Sequence, residues 1–264
     1  MEGRPLILIT NDDGIGSPGL KAAVRGALQV GDVFVSAPHC QQTAMGRAFP
    51  RIQDLGIIEE RTYEVNHVQV PAYAVHGSPA YAAAYGILEL APRKPDLCIS
   101  GINYGENLGM TLTSSGTLGA AFEASSQGVP AIAVSVQADL SLHRSEKFPD
   151  HDWTVPEQVV ARWAFWMLYH RREQRIDVLN INIPCKIQSA DDYRITTQSR
   201  QNWIEFCPPP DRDHDRPFSL KTECRVDEWS LEKESDIYAV YTDHMISVTP
   251  LSTVMSLPSS VMAE

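Results

Sequence analysis

The sequence predicts an α/β protein with a mostly parallel sheet, followed by a C-terminal part of different character. Short apolar runs rich in β-branched residues alternate with helical segments along residues 1–184, a pattern typical of parallel strands joined by right-handed crossovers. From residue 185 onward, Pro- and Asp-rich sequence separates short apolar runs. We therefore predict two parts, a core at residues 1–184 and a β-rich extension at residues 185–264.

The first half of the core begins with a buried strand at residues 6–10, which is bounded by a glycine turn. A helix follows, because Ser17 and Pro18 suit the N-cap and first helical positions, and apolar residues recur at helical spacing between Leu20 and Leu28. The remaining elements predicted here are strands at residues 32–36, 63–65, 68–70, 73–75 and 95–100 and a helix at residues 80–90. We expect a turn at 66–67 and loops at 37–46 and 101–109.

The second half of the chain continues the alternation and then changes. We predict a helix at 116–127, a strand at 130–136, a helix at 155–172 with Trp163 and Trp166 facing the core, and a strand at 177–183. In the extension, residues 193–198, 238–241 and 245–249 are predicted as antiparallel strands around the loop at 208–217. Such an arm or hairpin is a natural site for contacts between copies of the chain.

Composition excludes several classes of partner. The net charge is −11, from 33 acidic and 22 basic residues, so broad attraction to a nucleic-acid polymer or an anionic membrane is not expected. No apolar run has the length of a signal sequence or a membrane span, and the five widely spaced cysteines show no CxxC pair. We expect a cytoplasmic protein with reduced thiols.

Two adjacent carboxylates, Asp12 and Asp13, follow the first strand directly. Like charges raise each other's pKa unless a cation or hydrogen-bond donors offset them. Open α/β sheets bind ligands beyond the carboxyl ends of their strands. We therefore predict a divalent cation here, although a helix N-terminus would stabilise one of the two carboxylates without any metal.

Further oxygen ligands stand where other strands end. Thr43 lies in the loop after the second strand and Asn103 follows the strand at residues 95–100. Two carboxylates, a hydroxyl and an amide suit Mg²⁺ or Mn²⁺ and leave positions for water and substrate. Hydroxyl residues and a glycine at residues 114–117 stand at the predicted start of a helix, where backbone N–H groups have no partner within the helix. These N–H groups could bind phosphate, or Ser115 could accept a hydrogen bond from one of them as an ordinary N-cap.

Two other patterns allow different interpretations. Residues 14–19 fit G-x-G-x-x-G, but a pyrophosphate would lie beside two uncompensated aspartates and the second strand ends in Ser36 instead of an acid. Dinucleotide binding is thus the weaker hypothesis. His39 and His76 lie near strand ends and could transfer protons, although hydrogen-bonded structural roles are more common for single histidines.

The motifs resemble the family of the stationary-phase survival protein SurE, whose members are metal-dependent nucleoside-monophosphate phosphatases. The resemblance covers nearly the whole chain, and the NDDG and SGxN motifs are its most specific parts. The matching segments are TNDDG at 10–14, Ala-Pro at 37–38 with TAMG at 43–46, Gly-Ser-Pro at 77–79, SGINYG at 100–105, Ser-Gly-Thr at 115–117, LNINIP at 179–184 and SVTP at 247–250.

This resemblance implies a Rossmann-like α/β/α core and a C-terminal extension that assembles a homodimer or homotetramer. It implies one divalent ion, Mg²⁺ or Mn²⁺, held by Asp12, Asp13, Thr43 and Asn103. Catalysis is assigned to Asp12, Asp13 and Asn103, and phosphate contact to Asn11, Ser115, Gly116 and Thr117. The family usually has Ser at the position of Thr43, so the ligand oxygen is retained while the extra methyl bears on its placement. It often has Asp at the positions of Tyr81 and Thr111, and these two departures bear on substrate preference more than on the metal site.

The functional hypothesis is a metal-dependent phosphomonoesterase that hydrolyses nucleoside monophosphates at the 5′ position, with 3′ activity also open. Water attack and a covalent aspartyl intermediate are both compatible with the residues. The alternative from another class is a metal- or nucleotide-binding regulatory protein without turnover, and a dehydrogenase is a third, weaker option.

Overall fold

The structure is a computed structural model that describes residues 3–140, 148, 150–170 and 176–256. The described strands are β1 (Leu6–Thr10), β2 (Asp32–Pro38), β3 (Ile58–Val65), β4 (Val68–Val75), β5 (Leu97–Tyr104), β6 (Ala131–Val136), β7 (Val178–Ile183), β8 (Tyr193–Ile195), β9 (Ile204–Phe206), β10 (Thr222–Cys224) and β11 (Ile246–Leu251). The described α-helices are α1 (Pro18–Leu28), α2 (Pro79–Tyr85), α3 (Gly116–Ser126) and α4 (Thr154–Tyr169). None of the described helices has the length and apolar character needed to cross a bilayer.

Nine strands form the central sheet, in the order β3-β4-β2-β1-β5-β6-β7-β11-β8. The six strands from β4 to β7 run parallel, whereas β3 pairs antiparallel with β4 and β11 pairs antiparallel with β7. The chain builds outward from β1 in one direction and then returns to add β5 on the other side. The strand order therefore reverses between β1 and β5, which is where open α/β sheets bind ligands.

Helices cover both faces of the sheet, which confirms the predicted α/β/α arrangement. Side chains along β1 alternate, so that Ile7 and Ile9 pack with α1 and α4, whereas Leu6 and Leu8 pack with the layer of α2 and α3. Both layers are buried, and this explains why β1 is apolar along its whole length.

The predicted hairpin turn and several helix starts are also confirmed. Asn66 and His67 both have positive φ, at 50° and 63°, between the antiparallel strands β3 and β4, as a two-residue hairpin turn requires. Pro18 and Pro79 stand in the first turns of α1 and α2. The predicted helix at residues 80–90 continues past α2 as a wider helical turn, Gly86–Leu90. For α4, the predicted end at residues 171–172 lies outside the described residues.

One error of the sequence analysis concerns the loop predicted at residues 101–109. Its first part belongs to β5, which continues to Tyr104 after a shift of register between Ser100 and Asn103. Asn103 pairs with Ser135 and Tyr104 with Val136, so backbone pairing with β6 resumes after the irregularity. Asn103 is thus fixed by the sheet.

The C-terminal prediction was wrong in two respects. Residues 238–241 form a helical turn, Tyr238–Thr242, because Ser235 Oγ accepts from Tyr238 N at 3.2 Å and the chain then buries Ala239 and Val240. β8 is shorter than predicted and runs parallel to β11. The antiparallel strand predicted at residues 245–249 is confirmed as β11. It joins the core sheet through β7, while β9 and β10 form a separate antiparallel pair.

Gly26 brings α1 close to α4, and its replacement by Ala tests this packing. A Cβ at this position would lie 2.6 Å from Glu157 O and 2.8 Å from Val160 Cβ, so we expect the free energy of unfolding to fall by about 1–3 kcal/mol. Chemical denaturation followed by circular dichroism measures the change. Gly16→Ala is the matched control, since no heavy atom lies within 4 Å of that Cβ. Equal losses in both variants would contradict the close helix contact.

Candidate active site

Asp12 and Asp13 lie at the carboxyl end of β1, and both side chains are buried. Thr117 Oγ1 donates to Asp12 Oδ1 at 2.7 Å. Asp13 Oδ2 accepts from Tyr104 N at 3.2 Å, and its Oδ1 accepts from Gln41 Nε2 at 3.4 Å. The two carboxylates are therefore held by three separate segments, namely α3, the end of β5 and the loop after β2.

Burial of this pair changes its acid–base behaviour. Burial raises the pKa of Asp12 above its ordinary value, and hydrogen bonds from Thr117 oppose that rise. Burial and the negative charge of Asp12 together raise the pKa of Asp13. No Lys, Arg or His of the described residues forms an ion pair with either carboxylate or is among the causes of these shifts. The pair is thus a concentration of negative charge without a protein counter-ion.

The N-terminus of α3 faces Asp12. Thr117 contributes both its hydroxyl and its backbone N–H to that carboxylate, and the positive end of the helix stabilises the charge. Gly116 permits this approach, because a Cβ there would lie 2.7 Å from Asp12 Oδ2. Ser115 caps the helix by accepting from Leu118 N at 3.2 Å. The start of α3 therefore supports Asp12 directly, which is the metal-free stabilisation by a helix N-terminus that the sequence allows for one of the two carboxylates.

Asn11 holds the loop between β1 and α1. Its Nδ2 donates to Gly14 O at 3.0 Å and its Oδ1 accepts from Gly14 N at 3.2 Å, so both ends of the side-chain amide are engaged with backbone. The side chain is fully buried. Its immediate effect is to fix the turn that carries the two aspartates, and the predicted phosphate contact of Asn11 stays a prediction.

A cavity of about 630 Å³ opens beside this acidic pair. Asp12, Thr43, Asn103 and Ser115 line it, so four of the predicted site residues from four different segments reach one space. Asn103 Nδ2 donates to Gly105 O at 2.6 Å, which leaves the carbonyl oxygen Oδ1 as the atom of that amide suited to a cation. An oxygen-rich set of this kind matches the preference of a hard divalent ion.

The sequence analysis missed the opposite wall of the cavity. It consists of residues from the separate β9–β10 pair and the segment just before it. The sequence predicts contacts between copies for this C-terminal part, and neither of these strands. The lining residues from this region are Asn202, Ile204, Glu205, Phe206 and Thr222. Alternation of polar and apolar residues at 204–206 is the signal for a strand there, but no local pattern shows that this strand lines the same cavity as Asp12.

Buried polar side chains attach the loop after β5 to the rest of the fold. Asn182 Oδ1 accepts from Asn107 N at 2.7 Å, and Asn180 Nδ2 donates to Asn107 O at 2.9 Å. Glu106 Oε1 accepts from Trp203 Nε1 at 2.7 Å. In the sequence, the two asparagines Asn180 and Asn182 within the otherwise apolar strand β7 indicate that this strand binds a polar partner, which the structure shows to be the backbone of Asn107.

The departures from the family pattern occupy different places. Thr43 and Thr111 line the cavity, and Thr111 Oγ1 donates to Leu108 O at 2.6 Å. Tyr81 is not among the lining residues and instead packs edge-to-face on Phe49, with ring centroids 5.0 Å apart. Thr43 and Thr111 are thus the two departures in a position to contact a bound molecule.

The fold and the site together define a class: a doubly wound α/β protein with an acidic, oxygen-ligand site at its topological switch point. A family profile described as "Survival protein SurE" matches residues 7–205. The chain belongs to the SurE family.

Similar proteins cover almost the whole chain. It is 36% identical over 255 residues to a protein of Methanosarcina barkeri named 5′-nucleotidase SurE, an alignment that spans 94% of this chain and 92% of the relative. A protein of the same name from Methanothermobacter thermautotrophicus is 40% identical over 194 residues, 72% of this chain and 71% of the relative. The crystal structure of the SurE protein from Aquifex aeolicus matches with a TM-score of 0.72 and 25% identity over 98% of this chain and 97% of that one.

Replacing Asp12 with Asn tests the uncompensated charge. The folded-state pKa values of the pair are raised, so ionisation favours the unfolded chain, and this penalty grows as pH rises. In EDTA at pH 8, Asp12→Asn should therefore be more stable than the wild type by about 1–2 kcal/mol. The difference should shrink as pH falls and become small near about pH 3, where both carboxyls are protonated in the folded chain and mostly protonated in the unfolded chain as well. Thermal unfolding at several pH values measures it, and a less stable variant at pH 8 would contradict the assignment.

Proposed function

We propose that this protein is a metal-dependent phosphomonoesterase that hydrolyses nucleoside 5′-monophosphates to nucleoside and phosphate. The observation that carries the proposal is the buried, uncompensated Asp12–Asp13 pair beside a cavity at the strand-order reversal. The names of the relatives from Methanosarcina barkeri and Methanothermobacter thermautotrophicus, 5′-nucleotidase SurE, support the same activity. Hydrolysis of 3′-monophosphates by the same site is a further part of the proposal.

The donor set fits a single Mg²⁺ or Mn²⁺ ion. Asp12, Thr43 and Asn103 line the cavity, and Asp13 lies directly beside Asp12 behind that lining. The two aspartates would supply the charge, and Thr43 and Asn103 would supply neutral oxygens. A divalent cation would also offset the repulsion that raises the pKa of Asp13. When bound, such an ion polarises a phosphoryl oxygen and lowers the pKa of water.

The protein's own residues would position the reacting groups. Thr117 holds Asp12 and the Tyr104 backbone N–H holds Asp13, so neither carboxylate needs to reorganise when the phosphate arrives. Phosphoryl transfer depends mainly on positioning and on stabilising charge. The N-terminal end of α3, with Ser115 at the cavity, is the proposed location of the phosphate oxygens, together with Asn11, Gly116 and Thr117.

The nucleoside would occupy the wider part of the cavity. Apolar side chains from two regions line the cavity, namely Met110 from the helical turn Met110–Ser114 and Ile204 and Phe206 from β9, and the nucleoside would lie against them. An aromatic side chain can stack on any base, so this wall would bind the nucleoside without strong selection between bases. Thr111 is placed to contact the sugar or the phosphate.

The alternatives have weaker support. Nothing in the comparisons favours a non-catalytic regulatory protein. Dinucleotide binding conflicts with the site, because Asp12 and Asp13 fill the end of β1 where a pyrophosphate would lie.

We further propose a cytoplasmic location and a homodimer or homotetramer assembled through residues 185–264, with no nucleic-acid polymer or membrane as partner. Size-exclusion chromatography with light scattering determines the number of subunits.

Phosphate release from a panel of nucleoside monophosphates tests the activity. Mg²⁺ or Mn²⁺ should support turnover, EDTA should abolish it, and Asp12→Asn should reduce kcat/KM by roughly 100-fold or more, since one charged ligand is lost. Asp32→Asn is the matched control, because Asp32 is exposed at the start of β2, at the opposite end of the parallel strands from the site. Equal release by the wild type and Asp12→Asn would refute the assigned site.

Thr117 provides a test of how Asp12 is oriented. Thr117→Val removes the hydroxyl that donates to Asp12 Oδ1, and the Mn²⁺ concentration for half-maximal activity should rise about 10–100-fold. Thr117→Ser retains the hydroxyl and should restore most of the affinity. If the Val and Ser variants have the same metal requirement, the hydrogen bond has no part in holding the ion.

A further inference from the structure

A second group of potential metal ligands lies outside the proposed active site. His39, Glu59 and His76 each direct one ligand atom to a common point, and these three atoms lie within 4.8 Å of one another. This is the one such cluster of His, Cys, Asp and Glu found in the described part of the chain. It includes both histidines that the sequence analysis left without a definite role.

Strand pairing explains why these three side chains meet. Ala37 of β2 pairs with Ala74 of β4, and Ala74 pairs with Glu59 of β3. His39 and His76 each follow two residues after one of these alanines, so all three side chains share one face of the sheet. His39 N donates to Val75 O at 2.9 Å, which continues the β2–β4 pairing up to the cluster.

Both distances from Glu59 to the histidines are close to those between ligands of a tetrahedral metal site. Glu59 Oε1 lies 3.0 Å from His76 Nε2 and 3.4 Å from His39 Nε2. Two nitrogen or oxygen ligands about 2.0–2.1 Å from a tetrahedral Zn²⁺ are separated by about 3.3 Å. The two imidazole nitrogens thus already approach one carboxylate oxygen at the spacing that a shared ion requires.

The surroundings orient these ligands. Asp54 Oδ2 lies 2.5 Å from His76 Nδ1, which is the carboxylate–histidine contact that commonly leaves the other ring nitrogen free to bind a metal. Arg61 Nη2 donates to Glu59 Oε2 at 2.6 Å, so the second oxygen of Glu59 is occupied and Oε1 is the one that faces the histidines. The side chains of His39 and Glu59 are about 40% exposed, at 42% and 39%, so solvent can reach a fourth position.

We propose that His39, Glu59 and His76 form a second metal site, which binds a borderline transition-metal ion such as Zn²⁺ through two nitrogens and one oxygen. The chemistry of this site differs from that of the acidic pair. Imidazole ligands select Zn²⁺ and its neighbours, whereas an all-oxygen set suits Mg²⁺ and Mn²⁺. The two sites would therefore hold different ions in one molecule.

Titration of the metal-free protein with Co²⁺ and Zn²⁺ tests the proposal. The full chain should carry Asp12→Asn and Asp13→Asn, so that the acidic site does not contribute. We expect one equivalent of Co²⁺ with the visible ligand-field absorption of a four-coordinate ion, and its displacement by Zn²⁺. Adding His39→Asn or His76→Asn should weaken binding at least 10-fold, and adding Asp54→Asn should weaken it about 10–100-fold.

His67→Asn is the matched control, because His67 is almost fully exposed in the β3–β4 turn and has no part in the cluster. It should leave Co²⁺ binding unchanged. Circular dichroism checks that each variant folds; if His76→Asn does not, the exposed His39 decides the outcome. Absence of Co²⁺ binding, or binding that both the His39 and His67 variants retain equally, would overturn the proposal and leave the cluster as an ion-paired surface group.

Discussion

The confinement of two negative charges at the end of a buried strand is the constraint on which the rest of the site depends. Asp12 and Asp13 cannot move into solvent, because β1 is covered on both faces. The surrounding segments therefore converge on them: α3 presents its N-terminus, β5 turns a backbone N–H towards them, and the loop after β2 contributes Gln41. These donors offset only part of the charge, and the remainder is what the proposed divalent cation would balance.

Much of this arrangement could be predicted from the sequence, because it follows from local signals. The β1 run, the Ser17-Pro18 helix start and the Asn66–His67 turn each have a physical cause within a few residues. The convergence of Asp12, Thr43 and Asn103 on one cavity could be predicted as well. In a parallel sheet the carboxyl ends of all strands lie on the same side of the sheet, so residues that follow different strands come close together there.

What the sequence did not predict depends on contacts between distant segments. The turn at Tyr238–Thr242 has the β-branched and aromatic composition of a strand, and its helical form depends on a cap by Ser235 and on burial of Ala239 and Val240. The direction of β8 depends on its pairing with β11. The bond from Thr117 to Asp12 was likewise not predicted, because a hydroxyl at a helix start does not itself indicate that a carboxylate of the same chain lies opposite. The predicted phosphate contact of Thr117 stays a prediction.

The hydrogen bond between Glu106 and Trp203 has a consequence for how the protein is made. During synthesis, Asp12, Asp13 and Asn103 emerge from the ribosome well before β9 and β10 do. The residues proposed to hold the cation are thus synthesised before the β9 and β10 residues that line the same cavity. Glu106 remains without its indole partner during that interval, and the cavity opens to solvent along one side until synthesis has passed Thr222.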